Sequence, residues 1–125
     1  MKKPSKKTQK NKADRLWSET IHIRDNEQCR YCGSKSAVNA HHIIGRTGLH
    51  LRFDLRNGIL LCSKHHTMGN QSAHQNPIWF GDFLDATIPD IVDYLRSEQN
   101  KLEPNFNYEE CIAGLKKSLD LLKNI

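Results

Sequence analysis

The sequence predicts an α+β domain, mostly helical, in which two short strands are tied down by a metal clamp. Three observations carry this expectation. Two ligand pairs of matched spacing, Cys29-x-x-Cys32 and Cys62-x-x-His65, bracket the middle of the chain. Two short apolar runs, residues 40–44 (AHHII) and 58–62 (GILLC), flank a polar loop that contains two glycines. Stretches with apolar residues at helical spacing lie on either side of this centre.

The elements follow in order. Residues 1–12 have no apolar side chain after Met1 and are expected to be a disordered basic tail. From 13 to about 26, Ala13, Leu16, Trp17, Thr20 and Ile21 fall on one face and predict an amphipathic helix. Gly33 follows Cys32 and permits the tight turn that lets two thiolates face one ion. Residues 40–44 and 58–62 read as strands joined by a loop over 45–57, and a helix is expected to start from Ser63 as N-cap. Residues 78–84 suggest a short buried helix. Pro89 suggests the opening of another through Arg96, and 107–124 a last one with Ile112, Leu115, Leu119 and Leu122 on one face. The expected organisation is a tail over 1–12, a metal-stabilised core over 13–84 and a helical extension of the same domain over 85–125. Trp17, Trp79, Phe80, Phe83 and Cys111 read as core.

The apolar fraction of 37% is lean, which suits a fold partly held by metal. No run of eighteen apolar residues predicts a membrane span, and the lysine-rich start lacks the apolar stretch of a secretory signal. The cytoplasm is therefore the expected compartment, where clustered cysteines bind metal more often than they pair. The formal charge of +5 is unevenly placed. Residues 1–12 carry six lysines, among them Lys2, Lys3, Lys6 and Lys7, and no acid. Residues 82–125 carry five basic and nine acidic side chains. On charge alone a polyanion-binding tail and a merely solvated one are equally compatible with this distribution.

Cys29, Cys32, Cys62 and His65 form a donor set matched to tetrahedral zinc, since thiolate and imidazole suit its borderline softness. Three histidines remain. His66 points about 100° away from His65 on a helix. His41 and His42 are neighbours on a strand and face opposite sides, so one can bind a metal while the other meets a substrate. Arg46, Arg52 and Arg56 lie in the intervening loop and suit either phosphate contacts or a solvated surface.

Residues 29–66 resemble the zinc-bearing form of the His-Asn-His endonuclease motif. The resemblance rests on Cys29, Cys32, the His41-His42 doublet, Asn57 five residues before Cys62, and His65 followed at once by His66. It covers about a third of the chain, and the stretch over 72–77 is similar to small phage-encoded members. The resemblance implies a ββα-metal (His-Me finger) core and one-metal hydrolysis of DNA phosphodiesters, leaving 5′-phosphate and 3′-hydroxyl ends. It implies that His42 is the general base and that Asn57 orients it. His41 and His66 are implied as ligands of a catalytic divalent ion (Mg²⁺, Mn²⁺, Ni²⁺ or Zn²⁺) beside the structural Zn²⁺. A third ligand is expected four residues after His66, at Asn70, which follows Gly69, a residue able to end the helix before it; His74 and His50 are the spare candidates, and His50, in the loop, reads rather as a substrate contact or a bystander. The implied partner is the DNA phosphate backbone, in a phage or prophage setting of recombination, packaging or DNA processing alongside other phage proteins.

Two other readings compete. A non-catalytic zinc-binding nucleic-acid-binding module would need the clamp and the basic tail, but not the His doublet, Asn57 and His66. A redox sensor would place Cys62 beside another thiol rather than beside histidines.

Overall fold

The computed structural model describes residues 2–45, 48–101 and 105–125. In chain order these form α1 (Lys6–Arg24), β1 (Val38–His42), α2 (Leu49–Arg52), β2 (Gly58–Cys62), α3 (Pro77–Thr87), α4 (Ile91–Gln99) and α5 (Tyr108–Lys123). The fold is α+β: mostly helix, with one two-stranded antiparallel sheet. Among the described residues, no helix is long and apolar enough to cross a membrane.

β1 and β2 pair with Val38 opposite Cys62 and His42 opposite Gly58. β1 starts and ends two residues earlier than the apolar run over 40–44 predicts. The reason is Asn57. The Ile43 N–H donates to the Asn57 carbonyl (3.0 Å) and the Ile44 N–H to Asn57 Oδ1 (2.8 Å), which peels these two residues off the strand.

Every residue of β2 is buried. Successive side chains alternate between faces. Ile59 and Leu61 join Leu51, Phe80, Leu84 and Leu95 in one cluster. Leu60 joins Ala13, Trp17, Ile21, Phe53 and Leu115 in the other. A strand covered on both faces has no polar side, which is why GILLC reads as an unbroken apolar run. Its outer edge is satisfied locally: the Leu60 N–H donates to Asp25 Oδ2 (2.9 Å), and the Leu60 carbonyl accepts from the Arg30 N–H (2.9 Å).

α1 begins at Lys6, so the expected disordered tail over 1–12 shrinks to its first few residues. Ser5 Oγ caps the helix by accepting from the Thr8 N–H (3.1 Å). Lysine and glutamine propagate a helix well once it is anchored, and buried Ala13, Trp17, Thr20 and Ile21 anchor this one. The chain leaves α1 through Asn26 and Glu27, both with left-handed φ (58° and 56°).

The expected loop over 45–57 contains α2 and a single helical turn, Leu55–Asn57, capped by Asp54 Oδ1 on the Arg56 N–H (2.8 Å). The helix expected from Ser63 is only one wide turn, Lys64–Met68, closed by the Gly69 N–H on the Lys64 carbonyl (2.9 Å). A Cβ on Gly69 would stand 2.7 Å from that carbonyl, so glycine alone fits this closure. α4 begins at Ile91 rather than at Pro89, because Asp90 adopts φ 69° and interrupts the helical path. α3 buries Phe80 and Leu84 but leaves Ile78 exposed.

Candidate functional site

The Cys29–Cys32 turn follows α1 directly. The Cys29 N–H donates to the Ser34 carbonyl and the Gly33 N–H to the Cys29 carbonyl, both at 2.8 Å, with Gly33 at φ 77°. Register places Cys62 at the end of β2, beside this turn. The thiols of Cys29, Cys32 and Cys62 lie within 4.8 Å of one another. Cys32 Sγ and Cys62 Sγ are 3.7 Å apart. Tetrahedral zinc with bonds of about 2.3 Å sets its sulfurs about 3.8 Å apart, so the spacing fits.

The electrostatics of Cys29 and Cys32 differ. Burial pushes the Cys29 thiol up, but the backbone N–H groups of Cys32, Cys62 and Tyr31 outweigh it and hold the thiol below its usual range. Cys32 is raised, by burial first and then by its cysteine neighbours. These three cysteines form a group able to hold a metal ion such as zinc.

His65, the expected fourth ligand, is not a member of this close group. Its ring lies 4.5 Å from that of Tyr31, which sits between Cys29 and Cys32 in sequence. Its Nδ1 donates to the Gln71 carbonyl (2.7 Å). A carbonyl can only accept, so the neutral ring keeps its lone pair on Nε2.

A second group gathers His41, His66 and His74, whose ring nitrogens also lie within 4.8 Å of one another. His41 comes from β1 and His66 from the wide turn. His74 arrives because the chain doubles back after Gly69: the Ala73 N–H donates to the His65 carbonyl (2.9 Å) and the His74 N–H to the His66 carbonyl (3.0 Å). Buried Ser72 pins this return, its hydroxyl donating to the Gly69 carbonyl (2.7 Å). Of the candidates Asn70, His74 and His50 for a third ligand, the structure brings in His74. Asn70 is exposed and follows Gly69, where the helical turn has ended, so it is not one turn on from His66.

His74 Nε2 and His66 Nε2 are 3.0 Å apart. Two nitrogens at about 2.0–2.1 Å from one ion would stand about 3–3.4 Å apart, so the pair needs little movement to chelate. Burial, then the neighbouring His66, His74 and His42, push His41 down to about 3. Burial and His74 also lower His66. His41 is therefore neutral at ordinary pH, and the downward shift of His66 favours the same form, the state in which imidazole binds a metal.

His42 faces the other way. Its ring stacks on Trp17 with centroids 3.9 Å apart and planes 5° from parallel. Its Nε2 donates to the Arg52 carbonyl (2.9 Å), which places the neutral ring's lone pair on Nδ1. The expectation that Asn57 orients His42 is revised. Asn57 is fully buried, and its amide bonds the Ile44 N–H, the Ile44 carbonyl (3.0 Å) and the Leu51 carbonyl (3.0 Å), so it clamps the loop while Arg52 holds the ring.

The expected phosphate contacts are partly committed elsewhere. Arg52 forms a two-pronged pair with Asp14 (2.8 and 2.7 Å). Arg56 stacks over the Tyr94 ring and lies 3.7 Å from Asp54. Arg46 lies outside the described residues. Lys3 pairs with Glu109 (2.8 Å), while Lys2, Lys6 and Lys7 are exposed. His50, on α2, bonds the Glu98 carbonyl (3.1 Å). Sequence reasoning missed Trp17, Asp14 and Ser72 as parts of the site; their contacts span 25, 38 and only three residues, and none carries a motif. Comparison of the chain with protein-family models, curated proteins and solved structures finds no match.

Proposed function

We propose that this chain is a metal-dependent DNA endonuclease with a ββα-metal core of the His-Asn-His kind. One observation carries the reading: adjacent residues of β1 serve two different environments. His41 joins a three-imidazole group, while His42 is held by a carbonyl and an indole with its lone pair on Nδ1. A binding module has no need of such a division.

In this reading His42 Nδ1 accepts a proton from water as the water oxygen bonds to phosphorus. The bond from phosphorus to the 3′ oxygen breaks, and that oxygen leaves with a proton from solvent. The Arg52 carbonyl, by holding Nε2–H, keeps the base in the required tautomer. His41, His66 and His74 would hold a divalent ion, which when bound would neutralise charge at the phosphate and at the leaving oxygen. Three imidazoles, with no carboxylate in the group among the described residues, favour a borderline ion such as Zn²⁺ or Ni²⁺ over Mg²⁺ or Mn²⁺. The cysteine group, with His65 Nε2 as its fourth donor, would hold a structural zinc. Exposed Lys2, Lys6 and Lys7 contribute charge toward the DNA backbone. The resemblance to small phage-encoded nucleases supports a role in phage or prophage DNA processing.

The test is nicking of supercoiled plasmid by protein depleted of loosely held metal, with Zn²⁺, Ni²⁺, Mn²⁺ or Mg²⁺ added back singly and an EDTA control. Cleavage restored best by Ni²⁺ or Zn²⁺ is expected. Binding of plasmid without cleavage under every ion would replace this reading with a non-catalytic zinc-binding nucleic-acid module, which the exposed lysines favour.

A further inference from the structure

The His42 ring rests on a helix that the motif does not include. α1 contributes two side chains, three residues apart on neighbouring turns. Trp17 lies under the imidazole at van der Waals distance and nearly parallel to it. Trp17 is itself fixed: it is 2% exposed, and its Nε1–H donates to the Asp54 carbonyl (3.0 Å). Gly58, opposite His42 in the strand register, lets the indole pack against its backbone; a Cβ there would stand 2.5 Å from Trp17 Cζ2. Asp14 holds the guanidinium of Arg52, the residue whose carbonyl receives His42 Nε2–H.

We infer that α1 positions the base, with Trp17 as the platform that fixes the plane of the His42 ring and Asp14 as the anchor that fixes the Arg52 carbonyl. The inference rests on the nuclease reading for its catalytic meaning but not for its structural content. An imidazole has two soft torsions, and the hydrogen bond to the Arg52 carbonyl by itself leaves rotation about that bond open. A stacked indole opposes that rotation. The two contacts together restrain where Nδ1 is placed. Both side chains act through His42 and Arg52, so they are positioning residues rather than catalytic ones.

The test uses the full chain, ¹⁵N-labelled and zinc-loaded, and two readouts. The first is the one-bond ¹H–¹⁵N signal of His42 Nε2–H, which is visible only while that proton is hydrogen-bonded and protected from exchange. The second is plasmid cleavage, split into kcat and KM. Wild type and Trp17→Phe are expected to show the signal, since phenylalanine keeps a stacked ring. Trp17→Leu and Asp14→Asn are expected to lose it, with kcat down about 10- to 100-fold and KM unchanged, as for groups that orient a catalytic imidazole. Zinc content and circular dichroism show which variants fold. Trp17→Leu removes a buried side chain, so Asp14→Asn, at a partly exposed position, decides the matter if the leucine variant does not fold. A His42 signal that persists in every folded variant, or a kcat unchanged in them, overturns the inference. A signal that behaves as expected in a protein that cleaves no DNA leaves α1 as the positioning element and removes the nuclease reading instead.

Discussion

At the scale of single residues, the histidines divide by what surrounds them. His41 and His42 are neighbours on one strand, and their different faces were legible from the period of a strand alone. Their partners were not. Whether a third imidazole reaches His41 depends on how the chain turns after Gly69, and that turn rests on the Ser72 hydroxyl and two backbone bonds. No spacing rule encodes such a return, so Asn70 and His74 could not be separated by counting. Asn57 was legible as important but not in its role. It stands fully buried at one end of the loop and bonds Ile44 at the other end and Leu51 between them. Asn57→Ala would leave buried backbone groups without partners, at about 1–3 kcal/mol for each group not reached by water. We therefore expect Asn57→Ala to lower the midpoint of urea unfolding clearly, and to lose cleavage through loss of the loop. A variant as stable as wild type would show that the amide is not a structural clamp.

At the scale of elements, α1 shows why propensity and packing must be read together. Its second half announced itself through apolar spacing. Its first half carries only polar residues and looked like a tail, yet a Ser5 cap and an anchored helix behind it are enough to continue the rise. The C-terminal helix α5 was predicted to within a residue at each end, because its apolar face and its Asn107 cap both lie within the segment. The joint between α1, the cysteine turn and β2 is made by one carboxylate. Burial pushes Asp25 up, but its bonds to Arg24, the Leu60 N–H and Arg30 outweigh that and hold it below the ordinary value of 3.8. A depressed carboxylate stabilises the fold above its unfolded pKa, and this contribution fades as pH falls through the lower folded value. Asp25→Asn should therefore cost roughly 1–3 kcal/mol at pH 7, a range typical of hydrogen bonds to a charged group. The gap from wild type should narrow as pH drops below 3.8. Urea melts of both proteins across pH 3–7 check the sign; a gap that widened on acidification would contradict the assignment.

At the scale of the whole molecule, two clusters of apolar side chains sit on the two faces of a two-stranded sheet. Such a sheet is too small to be stable alone and depends on what covers and pins it. A metal ion held by the cysteine group would pin one end of β2 to the turn after α1, joining the strand to the helix that covers it. The matched Cys and His spacings made the cysteine group legible in the sequence, since a metal site needs its donors on short turns. The membership of His65 was not settled by spacing, because the ring's placement depends on Gln71 and Tyr31. Cys29→Ser or Cys62→Ser should release zinc and unfold the centre of the molecule, because structural zinc binding is itself folding free energy. Metal analysis and circular dichroism on the same samples check this; variants with full zinc content and unchanged melting would remove the clamp from the account.

The central claim is that His41 and His42 do different work, and the most direct measurement compares their alanine variants in plasmid cleavage across a titration of added Ni²⁺ or Zn²⁺. His42→Ala should cut about 10²–10⁴-fold more slowly at every metal concentration, because a general base is lost and no ion replaces it. His41→Ala should also be slow at low metal but recover partly as the ion is raised, because only a ligand is missing. Both variants should keep their structural zinc and their affinity for DNA. Wild-type rates in both variants, or a His42→Ala defect cured by metal, would contradict the division of labour on which the account stands.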